Sequence, residues 1–285
     1  SPRFKTLHHH GCSRTRETAD DVNRPCHIKR RWSQQITIAR LLQQQDYATA
    51  CVGKWHLGFG DKTPDWNGEL KPGPLEAGFD YYFGIPIVNS HPPFVFVENH
   101  HVVGLDPADP FVFGPAAKGK IYTQDFPEKK NIEAVGGARR AHEFYRDEQV
   151  GTTLTEKAVA WLKPKRDKPF FLYFAPGTIH HPFTPHPRFK GSSPVGTRGD
   201  SIHELDDTAG KLLAKLDELK LTENTLLIFT SDNGGVMDDG YEDVGRFERD
   251  LYAHVEGKHP QLLADIKAKR ELSDDLKKQV ASVLE

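Results

Sequence analysis

Apolar runs and amphipathic stripes alternate along the middle of this chain. In ITIARLLQQQD (36–46), Ile38, Leu41 and Leu42 share one face of a short helix, and Tyr47–Val52 reads as a short apolar strand. FDYYFGI (79–85) and FVFVEN (94–99) predict two more strands inside a Pro- and Gly-rich stretch, 60–135, that reads as an elaborated surface loop over a site. A helix is expected over roughly 142–162, then a strand in KPFFLYFAP between Pro169 and Pro176. Next, Ile202, Leu205, Ala209, Leu212, Leu213 and Leu216 form one helical stripe, and NTLLIFTSDNGG predicts a strand over 225–231 that ends in a polar, Gly-rich turn. Unbroken apolar strands alternating with helices indicate an α/β fold, a mainly parallel sheet flanked by helices on both faces, with 48–52, 169–175 and 225–231 as neighbours.

The flanks differ from this core. Residues 1–35 are irregular and polar and read as loop or disorder. Beyond 243 only helical periodicity remains, in Phe247, Leu251 and Val255, then Leu262, Leu263 and Ile266, then Leu272, Leu276, Val280 and Val283. The expected division is therefore 1–35, an α/β domain over 36–243, and an all-helical tail over 244–285.

Charge and composition narrow the partners. A net charge of −2 over 285 residues excludes nucleic-acid or membrane-surface binding that rests on bulk charge. No apolar stretch approaches the ~20 residues of a membrane span, and the first residues show neither an initiator Met nor an apolar leader. Cys12, Cys26 and Cys51 have no metal-type spacing and are too sparse for a disulfide framework.

Three polar sets lie at or just beyond predicted strand ends: Lys54 and His56 in VGKWHLGFG, His180 and His181 in PGTIHHPFTP, and Asp232 and Asn233 in TSDNGG. Each alone also fits a turn or a solvated strand end. In a parallel sheet, however, C-terminal strand ends share one edge, where α/β proteins place their sites. Asp and Asn oxygens suit a hard cation such as Ca²⁺, while a lysine and histidines supply an anion clamp, a base and an acid. That set is equipped to hydrolyse a charged ester.

TIARLLQQQDYATACVGKWHLG, GFDYYFGIPIVNSHPPFVFVEN, KPFFLYFAPGTIHHPFTPHPRF and LIFTSDNGG, in this order, resemble the sulfatases of the alkaline-phosphatase-like superfamily over about residues 36–243. The resemblance implies sulfate-ester hydrolysis, with a sulfated small molecule or glycan as substrate. Lys54 would bridge the sulfate and the nucleophile, His56 would be the base that collapses the sulfated intermediate, and His180 would protonate the leaving alcohol. Asn89, Ser90 and His91 would line the substrate entrance, and Asp232 and Asn233 would hold half of a Ca²⁺ site. The family nucleophile is a formylglycine made from the Cys of Cys-x-Pro-x-Arg. Here Cys12 and Arg16 match its ends, with Arg14 in the place of Pro; Cys12 reads equally as that nucleophile or as an exposed thiol. The family's paired aspartates, expected upstream of Cys12, are not in the sequence, so weak or absent Ca²⁺ binding is expected beside a pocket that still attracts sulfate or phosphate. Relatives of this kind are periplasmic, secreted or lysosomal. Residues 244–285 resemble the C-terminal helical segment of the ATP synthase α subunit, which keeps a second reading open: a catalytically inactive fragment or fusion whose tail meets a partner that the sequence does not name.

Overall fold

The computed structural model describes residues 36–60, 63–88, 92–114, 117, 135–162, 168–231, 253–269 and 278. Its centre is β1 (Ala48–Lys54), buried along all but its ends and paired in parallel on both sides. One neighbour is β2 (Tyr81–Ile85) and the other is β7 (Phe170–Ala175). Beyond β2 lie β3 (Val97–Glu98) and β4 (His101–Val102), added antiparallel, so the sheet order is β4-β3-β2-β1-β7. A separate two-stranded ribbon joins β5 (Val112–Phe113) to β6 (Val135–Gly136). The expected pairing of 48–52 with 169–175 is present, and both long ladders are parallel.

Alternation along β1 and β2 feeds two cores, because successive side chains face opposite sides of a sheet. Cys51 and Tyr82 join Trp55, Phe59, Trp66, Leu70, Phe79 and Phe111 on one face. Val52 and Phe83 join Phe94, Phe96, Tyr145, Leu154 and Ala158 on the other. The stretch from 60 onward is therefore not a loop over a site, as its Pro and Gly content suggested. Its aromatic residues build both cores, Trp66, Phe79, Tyr82 and Phe111 on one face and Phe83, Phe94 and Phe96 on the other.

The helices also depart from expectation. In α1 (Ile38–Gln44) the buried residue is Ala39, while Ile38 and Leu41 are exposed. The helix expected over 142–162 is two, α2 (Arg139–Phe144) and α3 (Val150–Trp161). The break falls where Tyr145, extended and 7% exposed, sends its ring against Phe94 and Phe96. In α4 (Gly196–Glu218) the buried face carries Ser201, Glu204, Thr208 and Leu216, whereas Ile202 and Leu213 are exposed. That face is small and polar because it packs on α3, where Thr155 Oγ1 and Thr208 Oγ1 share a buried hydrogen bond of 2.9 Å.

The strand expected over 225–231 does not form. Leu226, Leu227, Ile228 and Phe229 are between 59% and 85% exposed, without ladder bonds. β-propensity measures fit to a pleated, half-buried surface rather than an intrinsic backbone preference, so an apolar run with no adjoining edge stays irregular. This run opens a second compact unit, Leu226–Glu285, whose described part is helical over 253–258 and in α5 (Pro260–Lys269).

Candidate active site

The end of β1 explains the glycine spacing of VGKWHLG. Gly53 has φ +126°, and a Cβ there would lie 2.1 Å from the Ala175 carbonyl oxygen. A Cβ on Gly84 of β2 would lie 1.8 Å from the Gly53 carbonyl oxygen. Only glycines let the three strands close this tightly. Past Gly53 the ladder continues, since the Trp55 amide donates to the Ile85 carbonyl (3.1 Å) and the His56 amide to the Pro86 carbonyl (2.9 Å).

Trp55 turns inward. It is 7% exposed, packs edge-on against Phe79, and donates its Nε1–H to the Gly58 carbonyl at 2.9 Å. Its neighbours are thereby left at the rim, Lys54 half-buried and His56 exposed in the left-handed region at φ +54°. His180 follows β7, five residues beyond Ala175, which is itself opposite Gly53. Its amide donates to the Gly177 carbonyl, and its ring Nδ1 lies 2.5 Å from the His181 carbonyl oxygen. A carbonyl only accepts, so Nδ1 carries the proton there and Nε2 is the ring's other protonation site. Lys54, His56 and His180 thus leave the sheet at one edge, from adjacent parallel strands.

The remaining sequence-derived candidates, Cys12, Arg16, Asn89, Ser90, His91, Asp232 and Asn233, lie outside the described residues. Among the described residues no group of three or more His, Cys, Asp or Glu comes together to hold a metal ion. Cys51 is no substitute nucleophile, because burial pushes its thiol far above the ordinary range.

Two constellations escaped the sequence. Ser192 Oγ lies 2.8 Å from His203 Nδ1 and 3.4 Å from Asp200 Oδ1. This resembles a nucleophilic triad in composition only, since the carboxylate meets the serine rather than the far nitrogen of the imidazole. Asp200 is a loop clamp: it accepts from the Gly191 and Ser193 amides, which hold its carboxyl below the usual range. The second constellation is a small cavity between α3, α4 and the His180 loop, lined by apolar residues such as Ile85, Val88 and Val150 and by Asp147, Gly151, Thr178, Thr184 and Glu204. Desolvation holds the Glu204 carboxyl above its ordinary value. A glutamate inside the polar string IHELDD gives no sign of such burial.

Comparison with known proteins adds the following. A family model described as "Sulfatase" matches residues 5–266, past the boundary expected at 243. An N-acetylgalactosamine-6-O-sulfatase of Bacteroides thetaiotaomicron is 43% identical over 232 residues, 75% of this chain and 45% of that protein. The human N-acetylgalactosamine-6-sulfatase is 33% identical, over 72% of this chain and 33% of its own length. A solved structure from work on glycosaminoglycan metabolism by Bacteroides thetaiotaomicron superposes with a TM-score of 0.65 at 43% identity, covering 76% of this chain and 49% of the other. The chain spans less than half the length of each of these proteins.

Proposed function

The chain belongs to the sulfatase family, and from that premise we propose that it carries part of the catalytic edge of a sulfuric-ester hydrolase acting on a 6-O-sulfated, N-acetylgalactosamine-containing glycan. The observation that supports this most is the joint exit of Lys54, His56 and His180 from β1 and β7 at one edge of the sheet. The substrate class rests on the names of the similar proteins.

Lys54 is the cation for a sulfate oxygen, at a rim where a fixed charge costs no reorganisation when the ester bond breaks. His180, with Nδ1 tied to a carbonyl, presents Nε2 to protonate the leaving alcohol. His56 is the base for the second half of the cycle. Cys12, as formylglycine, supplies the nucleophilic hydroxyl, and Arg16 belongs to the same motif. Asn89, Ser90 and His91 are the candidate substrate contacts. Asp232 and Asn233 are the candidate ligands that would hold a Ca²⁺ ion, which would supply positive charge for the sulfate oxygens.

Release of inorganic sulfate from 6-O-sulfated N-acetylgalactosamine tests the reading. The expected outcome is turnover by the full chain that falls about 10²-fold or more in Lys54→Ala and in His180→Ala. Wild-type activity at the level of both variants would overturn it.

A further inference from the structure

The cavity beside the His180 loop is lined by a buried carboxylate that no catalytic step uses. Glu204 is 1% exposed. Its Oε2 accepts a hydrogen bond from the His186 amide at 3.2 Å, which pins the far end of the loop. Its Oε1 is buried and has no hydrogen-bond partner among the described residues, and the same holds for Thr178 Oγ1 at the near end of the loop. Both atoms face one point above Gly151: a Cβ built there would lie 2.7 Å from Glu204 Oε1 and 3.2 Å from Thr178 Oγ1. The cavity measures about 20 Å³, room for one water, which needs roughly 10–15 Å³ and polar partners. A carboxylate acceptor and a hydroxyl donor are such partners, whereas an empty cavity would leave both desolvated.

We propose that Glu204 is a positioning residue for His180, holding His186 directly and Thr178 through one buried water, so that both ends of the loop 178–186 are fixed to α4. Two further features agree with the clasp. Thr184 Oγ1 donates to the Asp147 carbonyl (3.3 Å), and Gly151 is a residue whose missing side chain keeps the water's place open. The link to catalysis rests on the role proposed for His180; the clasp itself does not.

The test uses the full chain with Glu204→Gln, Glu204→Met and Gly151→Ala. Gln keeps one acceptor for His186 and a polar group for the water, Met keeps the volume without either, and Ala at 151 takes the water's place and also presses on Glu204 Oε1, 2.7 Å from its Cβ. Hydrogen exchange of the 178–186 amides is expected to quicken about tenfold or more in Glu204→Met and to stay near wild type in Glu204→Gln. In Gly151→Ala a change is expected at Thr178, which loses the water, and at His186, because the shifted carboxylate also holds its amide. The Hε1 resonance of the His180 ring should move in Glu204→Met and return in Glu204→Gln, with kcat lowered and KM unchanged in the former. Wild-type exchange and an unmoved His180 resonance in Glu204→Met would overturn the proposal. If Glu204→Met does not fold, an unchanged Thr178 in Gly151→Ala would overturn it equally. A wild-type chain that releases no sulfate but shows the expected exchange and resonance changes sinks the sulfatase reading and leaves the clasp standing.

Discussion

A methyl group on Gly53 has nowhere to go: the Ala175 carbonyl stands 2.1 Å away and the backbone sits at φ +126°. Gly53→Ala is therefore expected to destabilise the chain by roughly 3 kcal/mol or more, from strain plus the parting of β1 and β7. Gly210, in mid-α4 with open space around it, is the opposite case. Gly210→Ala should stabilise by up to about 1 kcal/mol, as helix propensity dictates. Urea titration of the two variants against wild type measures both. His142 gives a pH-dependent counterpart. Its ring packs edge-on to Phe111, its Nδ1 meets the Ala138 carbonyl, and burial lowers its pKa below the ordinary 6.5. As pH falls, the unfolded chain binds this proton first, so the stability present above pH 6.5 declines as the pH drops below that value. In His142→Phe that decline should flatten, a difference that denaturation at a series of pH values reads directly. The glycines and the Lys-Trp-His set were legible in the sequence because an odd cluster of residue types at a strand end marks itself. Glu204 was not, because its burial is decided by Gly151 and Thr178, which are distant in the chain.

Strands were easier to read than helix faces. β1 and β7 are apolar runs with covered neighbours, and their pairing follows from that. The expected stripe of α1 misjudged which side is buried, and that of α4 held at Leu212 and Leu216 but not at Ile202 and Leu213, because a helix face is chosen by what packs on it. For α4 that is α3, and the buried face adds Ser201, Glu204 and Thr208 to Leu216 while Ile202 and Leu213 stay exposed. The run Leu226–Phe229 shows the same dependence on context, since its apolar residues form no strand and stay exposed. Four bare apolar side chains in a β-prone sequence are an association hazard. Light scattering over a concentration series should therefore show the full chain growing in mass. In the double variant Leu227→Lys, Phe229→Lys the association constant should fall at least about tenfold, each buried side chain being worth roughly 1.5–3 kcal/mol. Equal masses for the two chains would count against it.

For the whole molecule, the family was legible because four blocks keep their order, and order survives where side-chain packing cannot be foreseen. The architecture also sets a schedule for synthesis. In the sheet, β1 lies between β2 and β7, and Ala48 waits for Phe170 to complete its second ladder. At about 5–20 residues per second, a ribosome needs roughly 6–24 s to pass from Ala48 to Phe170, 122 positions on. Through that interval the Ala-Thr-Ala-Cys-Val segment has at most one finished edge. The nascent chain therefore carries its central strand half-dressed while those residues are made, and holdase chaperones have an opening on it there.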